Sequence, residues 1–172
     1  MASTYTLISS QVLGSSAASV TFSSIPQTYK DLVLRVSARS DYSGAASTPL
    51  KVIVNSVSTG TQYSDTRIVG NGSSASSSND TNSPYWALQF GVTAAGSVTS
   101  NVFASGELYI PNYTSSANKP MSLTFALEDN SSSSVLGAYA MLDRTTSAVS
   151  QLDISPSSGN FITGSSFYLY GI

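Results

Sequence analysis

Cysteine and histidine are both absent from the 172 residues. Without cysteine there is no disulfide framework and no thiolate metal site. Without histidine the chain lacks the commonest general base and the commonest neutral metal ligand, so Ser-His-Asp and Cys-His nucleophile systems are excluded. Charge is scarce as well. Charged residues make up 9% of the chain, against roughly 25% in an average soluble domain. Seven basic and nine acidic residues leave a net charge of −2, a balance that favours association over mutual repulsion. The lysines and arginines are scattered, so nothing resembles a basic patch for nucleic acid. No apolar run approaches the ~20 residues needed to span a bilayer. The opening Met1–Tyr5 lacks the basic and apolar regions of a secretory signal.

What is abundant is serine, roughly a fifth of the chain and well above its usual share. A Ser-rich chain can be disordered, but here 41% of the residues are hydrophobic and they are patterned. Leu32, Leu34, Val36 and Ala38 alternate with Val33, Arg35, Ser37 and Arg39. Trp86, Leu88, Phe90 and Val92 alternate in the same way, as do Met121, Leu123, Phe125 and Leu127. A period of two means strands with one buried and one wetted face. Further strands are expected over Tyr5–Leu13, Ala18–Phe22, Leu50–Asn55, Gln62–Val69, Val102–Ile110, Val135–Leu142, Val149–Ile154 and Phe161–Ile172. Gly14-Ser15-Ser16 reads as a hairpin turn joining the first two. No segment carries a helical period with caps.

About ten short strands with turn signals every 8–15 residues predict one all-β domain over residues 1–172, a jelly-roll-like antiparallel sandwich. Its length suits one domain, since domains commonly hold roughly 100–150 residues. Ser40–Thr48, Asn112–Lys119 and Asp129–Ser134 read as loops. Gly70–Ser83 (GNGSSASSSNDTNS) is low-complexity and reads as a long, mobile Ser-rich loop.

The residues available for chemistry are few. Glycosidases need two carboxyl groups across one cleft, and the chain has only Glu107, Glu128 and seven aspartates. Glu128-Asp129 are adjacent in a strand end, so they point opposite ways and read as solvated charges. Asp143-Arg144 reads as a turn or surface pair. Asp65 with Asp80 is the one loop-proximal acid pair. Asn79-Asp80-Thr81-Asn82 offers oxygen ligands but a single carboxylate, thin for Ca²⁺. Gly70-Asn71-Gly72 lacks the following Lys-Ser/Thr and the helix of a phosphate-binding loop. The sequon-like triplets at Asn71, Asn112 and Asn130 are expected by chance in a Ser-rich chain. The sequence therefore predicts no enzyme, no cofactor and no metal.

Tyrosine is the informative residue, with ten copies. Tyr85, Tyr109, Tyr168 and Tyr170 fall opposite the apolar face of their strands, and Tyr113 follows the break at Pro111. Tyrosine is enriched at interfaces because it joins a large apolar body to a polar tip. These five are the candidate interface residues. Trp86 alternates with the core-facing set and is expected to be buried.

Three segments carry a resemblance. They are Tyr5–Ser40, with Ile25-Pro26-x-Thr28-Tyr29-x-Asp31-Leu32-x-Leu34; Glu107–Phe125, with the run Tyr109-Ile110-Pro111-Asn112-Tyr113 and then Asn118-Lys119-Pro120; and Ser158–Ile172, ending Leu169-Tyr170-Gly171-Ile172. Together they resemble small virion structural proteins of tailed phages, especially those of cyanobacteria and marine bacteria. The resemblance implies a β-sandwich, often trimeric, displayed on the particle. The implied role is capsid cement or decoration that bridges major capsid subunits, with a location on the virion after synthesis in the host cytoplasm. A tail or tail-fibre domain that binds host glycans is the alternative it leaves open. The expected partners are further copies of the chain and the major capsid protein, or other tail proteins, with no nucleic acid and no membrane. The Ser-rich stretch Gly70–Ser83 has no counterpart in the resemblance.

Overall fold

The computed structural model describes residues 4–93, 98–130 and 134–172, and the side chains of 86–93 fall outside that description. The described residues form twelve β-strands and no helix. They are β1 (Thr6–Val12), β2 (Val20–Phe22), β3 (Leu32–Ala38), β4 (Ser47–Val54), β5 (Tyr63–Gly70) and β6 (Ala75–Ser83), then β7 (Trp86–Thr93), β8 (Ala104–Ile110), β9 (Lys119–Leu127), β10 (Val135–Asp143), β11 (Leu152–Pro156) and β12 (Ser166–Gly171). One sheet has eight strands in the order β1-β12-β3-β8-β9-β10-β5-β6. The other has four, in the order β2-β11-β4-β7. Every pairing is antiparallel. The fold is the all-β antiparallel sandwich that the alternation predicts.

Alternation places the core. On β9 the inward residues Met121, Leu123, Phe125 and Leu127 are buried and the residues between them are exposed. Leu32, Leu34 and Val36 on β3 and Phe167 and Leu169 on β12 face the same interior. Leu50, Val52 and Val54 on β4 and Leu152 and Ile154 on β11 meet them from the small sheet. Each such side chain gains roughly 1.5–3 kcal/mol on full burial. Val33 is buried although it points outward, because Tyr170 and Tyr109 flank it in register.

Two expectations about connectivity are corrected. The first two strands do not form a hairpin across Gly14-Ser15-Ser16. β1 pairs with β12 in the large sheet and β2 pairs with β11 in the small one, so the chain crosses between layers there. The Ser-rich stretch is not a long loop. Residues 75–83 are strand β6, laid along β5 from Ala75 opposite Gly70 to Ser83 opposite Tyr63. Only 71–74 turn. The Asn71 carboxamide oxygen accepts the backbone N–H groups of Ser73 (3.2 Å) and Ser74 (2.9 Å), and Gly72 takes φ +83°. An Asx turn followed by a left-handed glycine closes a hairpin. With the extra strand the total is twelve rather than about ten.

Asparagine serves elsewhere in place of glycine. Asn55, Asn82, Asn101, Asn112 and Asn130 all adopt left-handed φ between 47° and 63°, a region asparagine tolerates better than other non-glycine residues. Asn55 also ties two connections together. Its Nδ2 donates to the Ala148 carbonyl (2.8 Å), and its Oδ1 accepts from the amides of Ser150 (2.8 Å) and Gln151 (3.1 Å).

Candidate interaction surface

Pairing register assigns the outward residues of the large sheet to rows that cross all eight strands. One row runs Ser10–Tyr168–Arg35–Glu107–Thr124–Ala138–Ile68–Ser77, and the next runs Leu7–Tyr170–Val33–Tyr109–Ser122–Ala140–Thr66–Asn79. The face thus divides. Toward β1 it is aromatic with one ion pair. Toward β6 it is made of small, hydroxylic and apolar side chains.

Arg35 organises the aromatic half. Its Nε donates to Glu107 Oε2 at 2.8 Å, with both side chains about half exposed. The guanidinium lies over the rings of Tyr5 (5.0 Å) and Tyr170 (5.6 Å), which meet each other edge to face at 5.9 Å. The hydrogen bond to Glu107 raises the Arg35 pKa further. The pair therefore leaves this half of the face neutral. An open hollow of about 460 Å³ lies beside it, lined by Arg35, Ser105, Gly106, Glu107 and Thr124 among others. Tyr109 donates its hydroxyl proton to Asp31 Oδ2 at 2.8 Å, and this bond raises the Tyr109 pKa. Asp31 Oδ1 also accepts the Asn112 amide at 2.8 Å.

The five predicted interface tyrosines separate. Tyr109, Tyr168 and Tyr170 share the outer face and are partly exposed. Tyr85 sits on the side of the small sheet, with Lys51 Nζ 4.8 Å from its ring centroid. Tyr113 is corrected: it is wholly buried in the core and its hydroxyl donates to the Pro26 carbonyl. A ring in that position fixes the loop after β8 against the segment before β3 and is closed to a partner. The Trp86 side chain lies outside the described residues. Alternation alone identified the outward tyrosines, whereas Tyr5, which lies beside Arg35, opened the expected strand Tyr5–Leu13 without being among the five.

The charged residues read from sequence as surface groups are mostly engaged inside. Asp143 is fully buried, not a surface partner of Arg144. It accepts the Thr145 amide (2.9 Å), the Thr145 hydroxyl (2.7 Å) and the Gln62 carboxamide. Across the ladder from it, Lys119 is also fully buried and donates to the carbonyls of Ala117 and Thr145. Burial pushes the Lys119 pKa down, and Asp143 opposes that shift. Asp129 is buried too, its Oδ1 accepting the Ser134 hydroxyl at 3.2 Å, while Glu128 stays exposed. Arg39, likewise buried, donates to the carbonyls of Thr99 (2.9 Å) and Val102 (3.0 Å). No sequence spacing announces these carbonyl partners.

Asp65 and Asp80 are cross-strand neighbours on β5 and β6, and Arg67 binds both, at 2.9 and 2.7 Å. Burial raises the Asp65 pKa against the lowering effect of Arg67. One cation shared by two carboxylates makes a closed triad. Asn79 and Asp80 are successive residues of regular strand and point to opposite faces, and Asp80, the one carboxylate of the stretch, is held by Arg67. Among the described residues no three acidic side chains gather at one point.

No family model, no curated protein and no solved structure matches this chain.

Proposed function

We propose that this chain is a non-enzymatic assembly subunit of a tailed-phage virion, acting as a capsid cement or decoration protein. One observation carries the reading: an eight-stranded sheet turns a broad, electrically neutral face outward, aromatic at one end and small-residue at the other. Such a face suits many neutral hydrogen bonds and modest apolar contacts with several neighbours at once. Multivalent contact holds a subunit in place even when each contact is weak. The terminal Tyr-Gly-Ile strand, the buried Tyr113 anchor and the Ile25–Leu34 strand entry are the segments that carry the resemblance to virion proteins, and all three act as fold elements. The acid pair that an enzyme would use is bound up with Arg67.

In this reading the protein bridges major capsid subunits as an oligomer, a trimer by the resemblance. Cryo-electron microscopy of the intact particle tests it. Density repeated over the head lattice at subunit junctions is the expected result. Density confined to the tail would move the role to tail structure, and absence from the particle would overturn the virion reading.

A tail-fibre role with glycan binding draws on a separate observation. Arg35 and Glu107 present exposed donors and acceptors next to Tyr5 and Tyr170, the chemistry that binds sugar hydroxyls and stacks on pyranose faces. A glycan array probed with the wild type and Arg35→Ala separates the two. Binding lost in the variant would establish the glycan role, and no binding by the wild type would leave cement alone.

A further inference from the structure

The exposed large hydrophobic residues among those described are Leu136 (64%), Val12 (63%), Ile68 (57%), Leu7 (51%) and Tyr5 (49%). They are not scattered. Leu7 and Val12 lie on β1, and Tyr5 immediately precedes it, at one edge of the large sheet. Ile68 lies on β5, beside edge strand β6, and Leu136 on β10, one strand further in. Register puts Leu7, Val12, Ile68 and Leu136 on the same outer face. An apolar hollow of about 450 Å³ joins Ile68, Gly70, Ala75, Leu136 and Ala138 close to the β6 edge. Isolated surface hydrophobics need no explanation, but gathered patches mark interaction sites.

The two edges are open in compatible directions. Each strand of the large sheet is antiparallel to the next, and eight is even, so β1 and β6 run oppositely. A second copy set beside the first in the same orientation brings its β1 against β6 as an antiparallel pair. The alternation then continues without a break. Two copies related instead by a two-fold axis through β6 would leave both β1 patches uncovered.

Neither edge carries the usual protection. β1 (TLISSQV) and β6 (ASSSNDTNS) contain no lysine and no proline, the residues that commonly blunt exposed edges. The bulge in β1 lies between Leu7 and Ser9, and the irregularity of β6 lies at its far end near Tyr63. Residues 9–12 and 75–80 are left regular. β1 has no charged residue, so Asp80 on β6 meets no like charge. Registers that keep Val12 on the outer face set it beside Ala75, Ser77 or Asn79, and in the first two its neighbour is a small residue opposite Gly70 or Ile68. The incoming side chain can then lean over it toward Ile68.

We propose that copies of this chain join head to tail, the β6 edge of one pairing antiparallel with the β1 edge of the next, with Leu7 and Val12 of the second copy extending the apolar surface at Ile68. This deepens the assembly reading and rests on it only for where the joined copies act. A head-to-tail contact uses two different surfaces and closes into a ring when the rotation permits.

The test uses the full chain and analytical ultracentrifugation over a range of concentrations. The wild type is expected to sediment as an oligomer. Val12→Lys, and independently Leu7→Lys, should weaken association about tenfold or more, because each places an unpaired charge in the contact. Ile68→Lys combined with Ala75→Lys should do the same from the other edge. All these positions are exposed, so circular dichroism should match the wild type. Mixed in equal amounts, the Val12→Lys protein and the Ile68→Lys/Ala75→Lys protein each retain one intact edge. They should form a two-chain species and nothing larger.

A wild type that stays monomeric overturns the proposal, as do variants that associate normally. Loss from the β6-side variant with none from Val12→Lys and Leu7→Lys would also overturn it, in favour of a two-fold contact. The outcome is separable from the virion reading. A monomer found on the particle sinks this pairing alone, and an oligomer of this geometry absent from the particle sinks the virion role alone.

Discussion

Strands β9 and β6 have the same length of nine residues and belong to the same sheet, yet they share almost nothing else. β9 buries every second side chain, from Lys119 to Leu127. β6 is exposed at eight of its nine positions, with Ser83 partly covered. The first strand is held by what its side chains lose to water when exposed. The second is held by backbone pairing to β5 and by the Asn71 turn. A sheet can therefore be extended past its own core, so long as the neighbouring strand supplies a template. The added strand is held by the ladder, its turn and the Arg67–Asp80 ion pair rather than by a core, and is the part of the sheet most open to further pairing.

Substitutions can break or sharpen this contrast, and the largest effect belongs to β9. Phe125→Ala removes a buried ring that meets Tyr139 at 5.9 Å and should cost about 3–5 kcal/mol in urea unfolding. A loss under 1 kcal/mol, on the order of an exposed-site change, would show that this half is not core-driven. Gly137 sits opposite Phe125 in register, and a Cβ there would lie 2.6 Å from the ring and 2.7 Å from the Ile68 carbonyl oxygen. Gly137→Ala should therefore destabilise by about 1–3 kcal/mol through overpacking. An unchanged melting temperature would argue that the ring moves aside freely.

Tyr63 comes next. Its hydroxyl accepts the Val54 amide at 2.9 Å and donates to the Val57 carbonyl at 2.8 Å, from a fully buried position. Burial is the main cause of its raised pKa. Tyr63→Phe keeps the packing and orphans both backbone groups, so a loss of about 1–3 kcal/mol is expected. At the other extreme, Ser78→Ala on β6 should stay within about 0.5 kcal/mol of the wild type, and a larger loss would mean that β6 depends on side chains after all.

The junction of the two regimes has a pH signature. Asp65 on β5 has its pKa raised by burial, so the folded state holds its proton more firmly than the unfolded chain does. Its contribution to stability is full below the ordinary carboxylate value of about 4 and is lost as pH rises toward the raised value. Asn cannot titrate. The stability of the wild type relative to Asp65→Asn should fall with rising pH across that window in paired urea titrations. A flat or rising difference would contradict the assignment.

The same contrast explains what the sequence made legible. Period-two alternation located β3, β9 and β12 and told inward Phe167 from outward Tyr168, because burial writes itself into residue type. It was silent on β6, whose residues face water on both sides. The clue there was the Asn71-Gly72 turn, which is read from turn chemistry and not from hydrophobicity. Tyr113 was misjudged because a tyrosine after a strand break looks alike whether its ring turns in or out. The depth of Lys119, Asp143 and Arg39 was invisible because it comes from strands and loops that meet only in the fold: Lys119 faces Asp143 across the ladder, Gln62 reaches Asp143, and Arg39 reaches the carbonyls of Thr99 and Val102. Among the candidate surface residues, alternation placed Tyr109, Tyr168 and Tyr170 outward. Their grouping around Arg35 depended on strand order, which no local pattern encodes.

The position of β12 bears on how the protein is made. This strand lies between β1 and β3, yet it is translated after the other eleven. Until it leaves the ribosome, β1 has no partner in the large sheet and β3 is paired on one side only. The two early strands must wait, exposed, until β12 has been made. Pairing across such sequence distances is slow, since loop closure comes before any contact can offset it. Completion of the sheet thus waits for β12, and a nascent chain stalled before Ser166 should be a target for proteases and holdase chaperones.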